Sequence, residues 1–202
     1  MLNRTIEQIV AELPLIDPNS FTAKDLPRNG IYLMYEQSES GRIVRVGTHK
    51  AEAGLYTRLR KHFGTRNSSR AWRRTSDFRL FVGGALLNRD HDPRLQQWTD
   101  RQGERMPEVE AMVTDQLLTT FTFRALPVDS LDERLLLERD LIAALSATPA
   151  MTREWLGHHA VSSRIRESGL WNSDYVGAKD RIDPHRLSRL VDASRFSEIQ
   201  RE

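Results

Sequence analysis

A few residue types at particular spacings carry the chemistry open to this sequence. Arg58 and His62 stand four apart in a stretch, Gly54 to Phe63, whose Leu55, Leu59 and Phe63 also recur every four residues. The polar pair therefore shares one helix face and the apolar residues another. Tyr32 lies in the alternating run Gly30 to Glu36 that precedes them. Far downstream, Leu131, Leu135, Glu138, Ile142 and Leu145 step by 4, 3, 4 and 3, which sets a carboxylate among four apolar side chains on one predicted helix face. A glutamate so placed needs a basic partner or a metal ion to offset its desolvation. From Arg42 to Ser76 the cations Arg42, Arg45, Lys50, Arg58, Arg60, Lys61, Arg66, Arg70, Arg73 and Arg74 face Glu52 alone, ten to one. That density fits a site facing a polyanion, because neutralising phosphates releases their counterions. A solvated basic face is the plainer alternative.

The elements that position these residues can be read from periodicity. Gly30 to Glu36 alternates as a strand, with Ile31, Leu33 and Tyr35 on one side and Tyr32, Met34 and Glu36 on the other. Gln37 to Arg42, with Ser38, Ser40 and Gly41, reads as a hairpin loop, Ile43 to Val46 as the returning strand, and Gly47 as its end. Leu117 to Val128, rich in threonine and phenylalanine, predicts a third strand. The expected fold is α+β, a small three-stranded antiparallel sheet flanked by helices, with an insertion and a helical C-terminal extension. The expected divisions are residues 1–29, an N-terminal helix interrupted by Pro14 and a lead-in; 30–150, the core with an insertion at about 64–115; and 151–202, the extension packed on it. Within the insertion, Phe78 to Leu87 with its Gly83-Gly84 break fits either a strand or a helix start. Trp72, among Arg70, Arg73 and Arg74, fits either a base-stacking residue or a loop anchor. Asp90, His91 and Asp92 are adjacent in a turn before Pro93, a poor arrangement for holding one ion.

Composition excludes several classes. The 202 residues contain no cysteine, which removes disulfides, thiol catalysis and cysteine-ligated metal centres. Any metal must be held by oxygen or histidine. With 39% hydrophobic and 29% charged residues and no apolar run near the roughly 18 residues of a membrane span, the chain reads as soluble and non-membrane. The start of the chain lacks a signal-peptide core, so cytoplasmic residence is the expectation.

Gly30-Ile31-Tyr32, then Arg45-Val46-Gly47 about a dozen residues on, then Arg58 with His62 four later, resemble the signature of the GIY-YIG nuclease superfamily. Glu138-Arg-Asp-Leu-Ile resembles that family's catalytic helix. Arg153-Glu-Trp-Leu-Gly-His-His with Ser168-Gly-Leu-Trp-Asn resembles the tail of an uncharacterised bacterial subset, which also tends to read Arg-Val-Gly-Thr-His at the second triplet. One position departs from the signature: Arg45 stands where the second triplet has tyrosine. The family places a functional asparagine soon after the catalytic helix, and the nearest candidate here is Asn172.

The resemblance implies a divalent-metal-dependent endonuclease that hydrolyses DNA phosphodiester bonds, with roles in restriction, repair or defence and with RNA left open as a substrate. It implies Tyr32, Arg45, Arg58, His62, Glu138 and Asn172 as the catalytic set and Glu138 as the ligand of Mg²⁺ or Mn²⁺. Tyr32 then orients or deprotonates water, which requires nearby positive charge because a phenol ordinarily titrates near about pH 10. Arg45 and His62 supply that charge in this reading, and Arg58 grips the phosphate. Lys50, Arg60, Lys61, Arg66, Arg70, Arg73 and Arg74 are the expected nucleic-acid contacts. Arg45 removes one proton acceptor and adds a cation, so a catalytically impaired nucleic-acid-binding protein is the alternative, and a protein-interaction domain with a solvated basic stretch is a third. A homodimer is compatible with cutting both strands.

Overall fold

The computed structural model describes residues 2–39, 41–50, 52–65, 72–147, 149–179 and 182–199. Arg66 and Arg70 lie outside them. The chain opens with helix α1 (Leu2–Val10) and continues into β1 (Gly30–Glu36), β2 (Ile43–Gly47) and helix α2 (Gly54–Phe63). Helices α3 (Asp77–Arg89), α4 (Leu95–Thr99) and α5 (Pro107–Thr120) precede β3 (Phe121–Pro127), and α6 (Leu131–Ser146), α7 (Ser163–Ser168) and α8 (Pro184–Ile199) complete the fold. The three strands form one antiparallel sheet in the order β2-β1-β3.

Every residue of β1 is buried, because helices cover both faces of the sheet. Tyr32 and Met34 pack into one core with Leu55, Phe63, Phe78 and Phe123. Ile31, Leu33 and Tyr35 pack into the other with Ile6, Leu137, Leu141 and Leu187. The alternation in the sequence thus sorts residues between two cores rather than between core and water. Opposite β1, Met34 pairs with Arg45 but Tyr35 pairs with Ile43, so Val44 is an extra residue, a β-bulge near the edge of the sheet.

The region expected to be an insertion contributes residues to the core. Phe78 to Leu87 is helix, capped by Ser76, whose Oγ accepts the Arg79 N–H at 3.2 Å. Gly83 does not break this helix: a Cβ there would run into the Trp98 ring, so the glycine admits α4 against α3. Arg79 and Glu110 form a buried salt bridge at 2.8 Å, and Arg79 also donates to the Thr114 hydroxyl and the His62 carbonyl. This fully hydrogen-bonded pair ties α3 to α5 and to the end of α2. The third strand is shorter than predicted, since Leu117 to Thr120 are the last turn of α5, which passes into β3 without a loop.

Flanking segments complete the sheet. Ile16 and Phe123 exchange backbone hydrogen bonds of 2.8 and 3.1 Å beside β3. On the opposite side the Trp171 N–H donates to the Val44 carbonyl at 2.7 Å, and the Asn172 amide accepts from Val46 N–H at 3.1 Å and donates to its carbonyl at 2.8 Å. Among the described residues no helix is long and apolar enough to cross a membrane.

Candidate active site

The end of β2 and the flank of α6 meet at Glu138. The Thr48 N–H donates to Glu138 Oε1 at 3.1 Å, while the Thr48 hydroxyl donates to the Gly30 carbonyl at 2.7 Å. Thr48 thereby fixes the first residue of β1, the end of β2 and the carboxylate to one another. The face of α6 that enters the core is Arg134, Leu137, Leu141 and Leu145, whereas Leu131 is exposed and Glu138 half-buried. The predicted stripe is therefore displaced by about one residue, and Glu138 stands on its edge beside solvent. Burial pushes its carboxyl up, against the opposing pull of Arg45, the Thr48 N–H, Arg58 and Lys50.

A cavity of about 380 Å³ opens beside this carboxylate. Arg45, Lys50, Arg58 and Lys61 line it, together with Thr48, His49, Asp77, Phe81 and residues 172–175 of the tail. On α2, Gly54, Thr57, Arg58 and Lys61 all reach it, as residues three and four apart on one helix face must. Asn172 joins the lining although its own amide is committed to Val46.

Two of the cations are held without matching acceptors. Arg45 is 6% exposed, lies 5.0 Å over the Phe78 ring and donates through one terminal nitrogen to the Trp171 carbonyl, but its Nε–H is buried without a hydrogen-bond partner. The Nε–H of Arg58 is likewise buried and unpartnered. Orphaned guanidinium donors are costly. Both side chains line the cavity beside Lys50 and Lys61, a concentration of positive charge that suits an anion.

Tyr32 lies elsewhere than predicted. It is 0% exposed and does not line the cavity; its hydroxyl meets His62 Nε2 at 2.8 Å, and His62 Nδ1 meets the Ser76 hydroxyl at 2.7 Å. Burial first, then Arg58, Arg45 and Arg79, hold His62 well below its usual value. The imidazole is therefore neutral, donating through one nitrogen and accepting through the other. It supplies hydrogen bonding to Tyr32 and no positive charge, which corrects the role expected of it.

Three of the expected nucleic-acid contacts have guanidinium groups engaged within the protein. Arg73 is 1% exposed, and its guanidinium donates to the carbonyls of Gln97, Asp100 and Glu104. Arg60 lies 4.3 Å over the Phe21 ring and donates to the Phe21 carbonyl at 3.0 Å. Arg74 stacks 4.7 Å over Trp72 and donates to the Arg101 carbonyl, so the ring of Trp72 already has a cation on it. His49 and Thr48, in contrast, were not singled out by the sequence, yet both reach the cavity. Their signal in the sequence is the Arg-Val-Gly-Thr-His stretch that runs on from the second triplet.

The donor set at Glu138 fits a hard divalent cation. Among the described residues no three of His, Cys, Asp and Glu converge on one point, which excludes a protein cage there. With Oε1 engaged by Thr48, Oε2 remains for the cavity. One carboxylate beside these cations suits Mg²⁺ or Mn²⁺, which take oxygen ligands and retain water. A family model described as the GIY-YIG domain matches residues 5–198. No curated protein and no solved structure matches the chain.

Proposed function

Because the chain belongs to the GIY-YIG family of nucleases, we propose that it is a divalent-metal-dependent endonuclease whose cleavage site is the cavity between α2, the end of β2 and α6. The observation that carries this reading is the convergence of Glu138 with Arg45 and Arg58 on one cavity.

Hydrolysis needs a held phosphate, a base for water, and charge compensation for the transition state and leaving oxygen. Arg58 and Arg45 supply fixed N–H donors to phosphate oxygens, worth more in a partly desolvated cavity than in bulk water. Lys50 and Lys61, both exposed at the rim, engage the flanking phosphates. Glu138 would hold a Mg²⁺ or Mn²⁺ ion, which would supply charge stabilisation to the reacting phosphate. His49, an imidazole lining the cavity, would take the proton from water in this reading. Tyr32 serves as a positioning residue: its ring lies on Gly47, next to the Thr48 that holds Glu138.

The buried placement of Tyr32 and the bond from Arg45 to Trp171 favour a second reading, a nucleic-acid-binding protein that does not cleave. Incubation of plasmid and of single-stranded oligonucleotides with Mg²⁺, Mn²⁺ or EDTA separates the two. Metal-dependent cleavage lost in Glu138→Gln supports the endonuclease. Salt-sensitive binding with no cleavage under either metal supports the second reading.

A further inference from the structure

The tail loop places an exposed aromatic residue against the charged cavity. Tyr175 is 44% exposed and lines the cavity, and its backbone has φ of 62°. A bulky residue takes that left-handed conformation only where its surroundings impose it. Here they do: Asn172 is fixed to both backbone groups of Val46, and beyond the tyrosine the Gly177 N–H donates to the Ser146 hydroxyl at 3.1 Å. The Ala178 N–H closes a turn onto the Tyr175 carbonyl at 3.2 Å. A large ring is thus held partly in water at the rim of the charged cavity.

A second ring borders the same space. Phe81 of α3 is half-buried, lines the charged cavity, and is shared with an adjoining apolar cavity of about 240 Å³ walled by Leu80, Gly84, Val161 and Ile165. Cations for the backbone and rings for the bases are the two components of a single-strand site. In a continuous duplex each base face is covered by its neighbours, so a ring reaches one only where the stack is open.

Resting on the nucleic-acid reading of the Arg45–Arg58 site, we propose that Tyr175 stacks on a base beside the bound phosphate and that the substrate is single-stranded or locally unpaired nucleic acid. The pathway of binding is then a backbone clamped by Arg45, Arg58 and Lys61, with an unpaired base turned onto Tyr175.

The test uses the full chain carrying Glu138→Gln in EDTA, titrated against a 5′-fluorescein single strand and the same sequence as a blunt duplex, read by anisotropy at low salt. The expected result is single-strand affinity at least about tenfold above duplex affinity. Adding Tyr175→Ala is expected to lower single-strand affinity by about 5-fold to 100-fold, the range of one lost stacking contact, with duplex affinity unchanged and with Tyr175→Trp restoring binding. Equal affinity for both probes, or an equal effect of Tyr175→Ala on both, overturns this inference and leaves the nuclease reading standing. Absence of binding to either probe overturns both.

Discussion

Gly47 stands directly across the β1–β2 pair from Tyr32, and the tyrosine side chain lies where a Cβ at position 47 would be. The second triplet ends in glycine here because of this approach, not because of an unusual backbone angle. Gly47→Ala is expected to destabilise the fold by about 1–3 kcal/mol, the usual cost of overpacking, measurable by urea denaturation. Tyr32→Phe does not rescue it, because the ring carbons as well as the hydroxyl occupy that volume.

Glu138→Gln is expected to abolish cleavage while raising stability at neutral pH. Burial lifts the folded carboxyl above its ordinary value of 4.5, so folding favours the protonated form. Relative to the variant, the wild type is most stable below pH 4.5 and loses ground as pH rises through the raised folded value. Thermal melts across pH 4 to 8 measure this difference. Mg²⁺ at about a hundred times its Kd should stabilise the wild type by about 2.7 kcal/mol and leave the variant unchanged; no metal-dependent shift in the wild type removes Glu138 as the metal ligand.

Arg45→Ala is expected to move the acid limb of the cleavage pH profile to higher pH. Arg45 leads the interactions that hold the Glu138 carboxyl down, and a metal-binding carboxylate must be ionised. An unmoved limb would show that Arg45 acts on the phosphate alone.

His62 should make the protein acid-sensitive. Its folded value lies well below 6.5, so below about pH 6.5 the unfolded chain binds a proton that the folded chain refuses, and stability falls with falling pH. His62→Gln, which keeps a donor and an acceptor, should flatten this dependence between pH 5 and 7 in denaturation midpoints. An unchanged slope would locate the acid sensitivity elsewhere.

Asn172→Asp should destabilise more than Asn172→Ala. The aspartate sets an oxygen against the Val46 carbonyl that the Asn172 Nδ2 now reaches at 2.8 Å, whereas alanine only leaves the Val46 backbone groups unpaired, at about 1–3 kcal/mol. Equal midpoints for the two variants would count against this contact.

The parts of the fold written in period and punctuation were legible. The alternation of Gly30 to Glu36 and the Leu55–Leu59–Phe63 repeat fix their elements without reference to the rest of the chain. The start of β3 was not, because Thr119, Thr120 and Phe121 favour strands whichever side of the junction they occupy, and no glycine or proline marks where α5 stops. Gly83 misleads for a related reason, since its cause is the ring of Trp98, fifteen residues later. The site divides in the same way. Glu138 is conspicuous as a charge in an apolar period, but Arg73 looks like Arg58 in sequence. Only the fold shows that Arg73 is buried with one guanidinium nitrogen turned onto three loop carbonyls while Arg58 lines the charged cavity.

The hydrogen bonds from Trp171 and Asn172 to Val44 and Val46 have a consequence for assembly. A bare outer strand is a template onto which another chain can add, and β2 is the strand that carries Arg45 and leads into Thr48. The tail occupies that template at the two places where it bonds. Two copies of the protein therefore cannot join by running one sheet into the next at Val44 and Val46. A fragment ended at residue 150 would lose this cover along with Asn172, exposing a sticky strand at the mouth of the site it was meant to isolate.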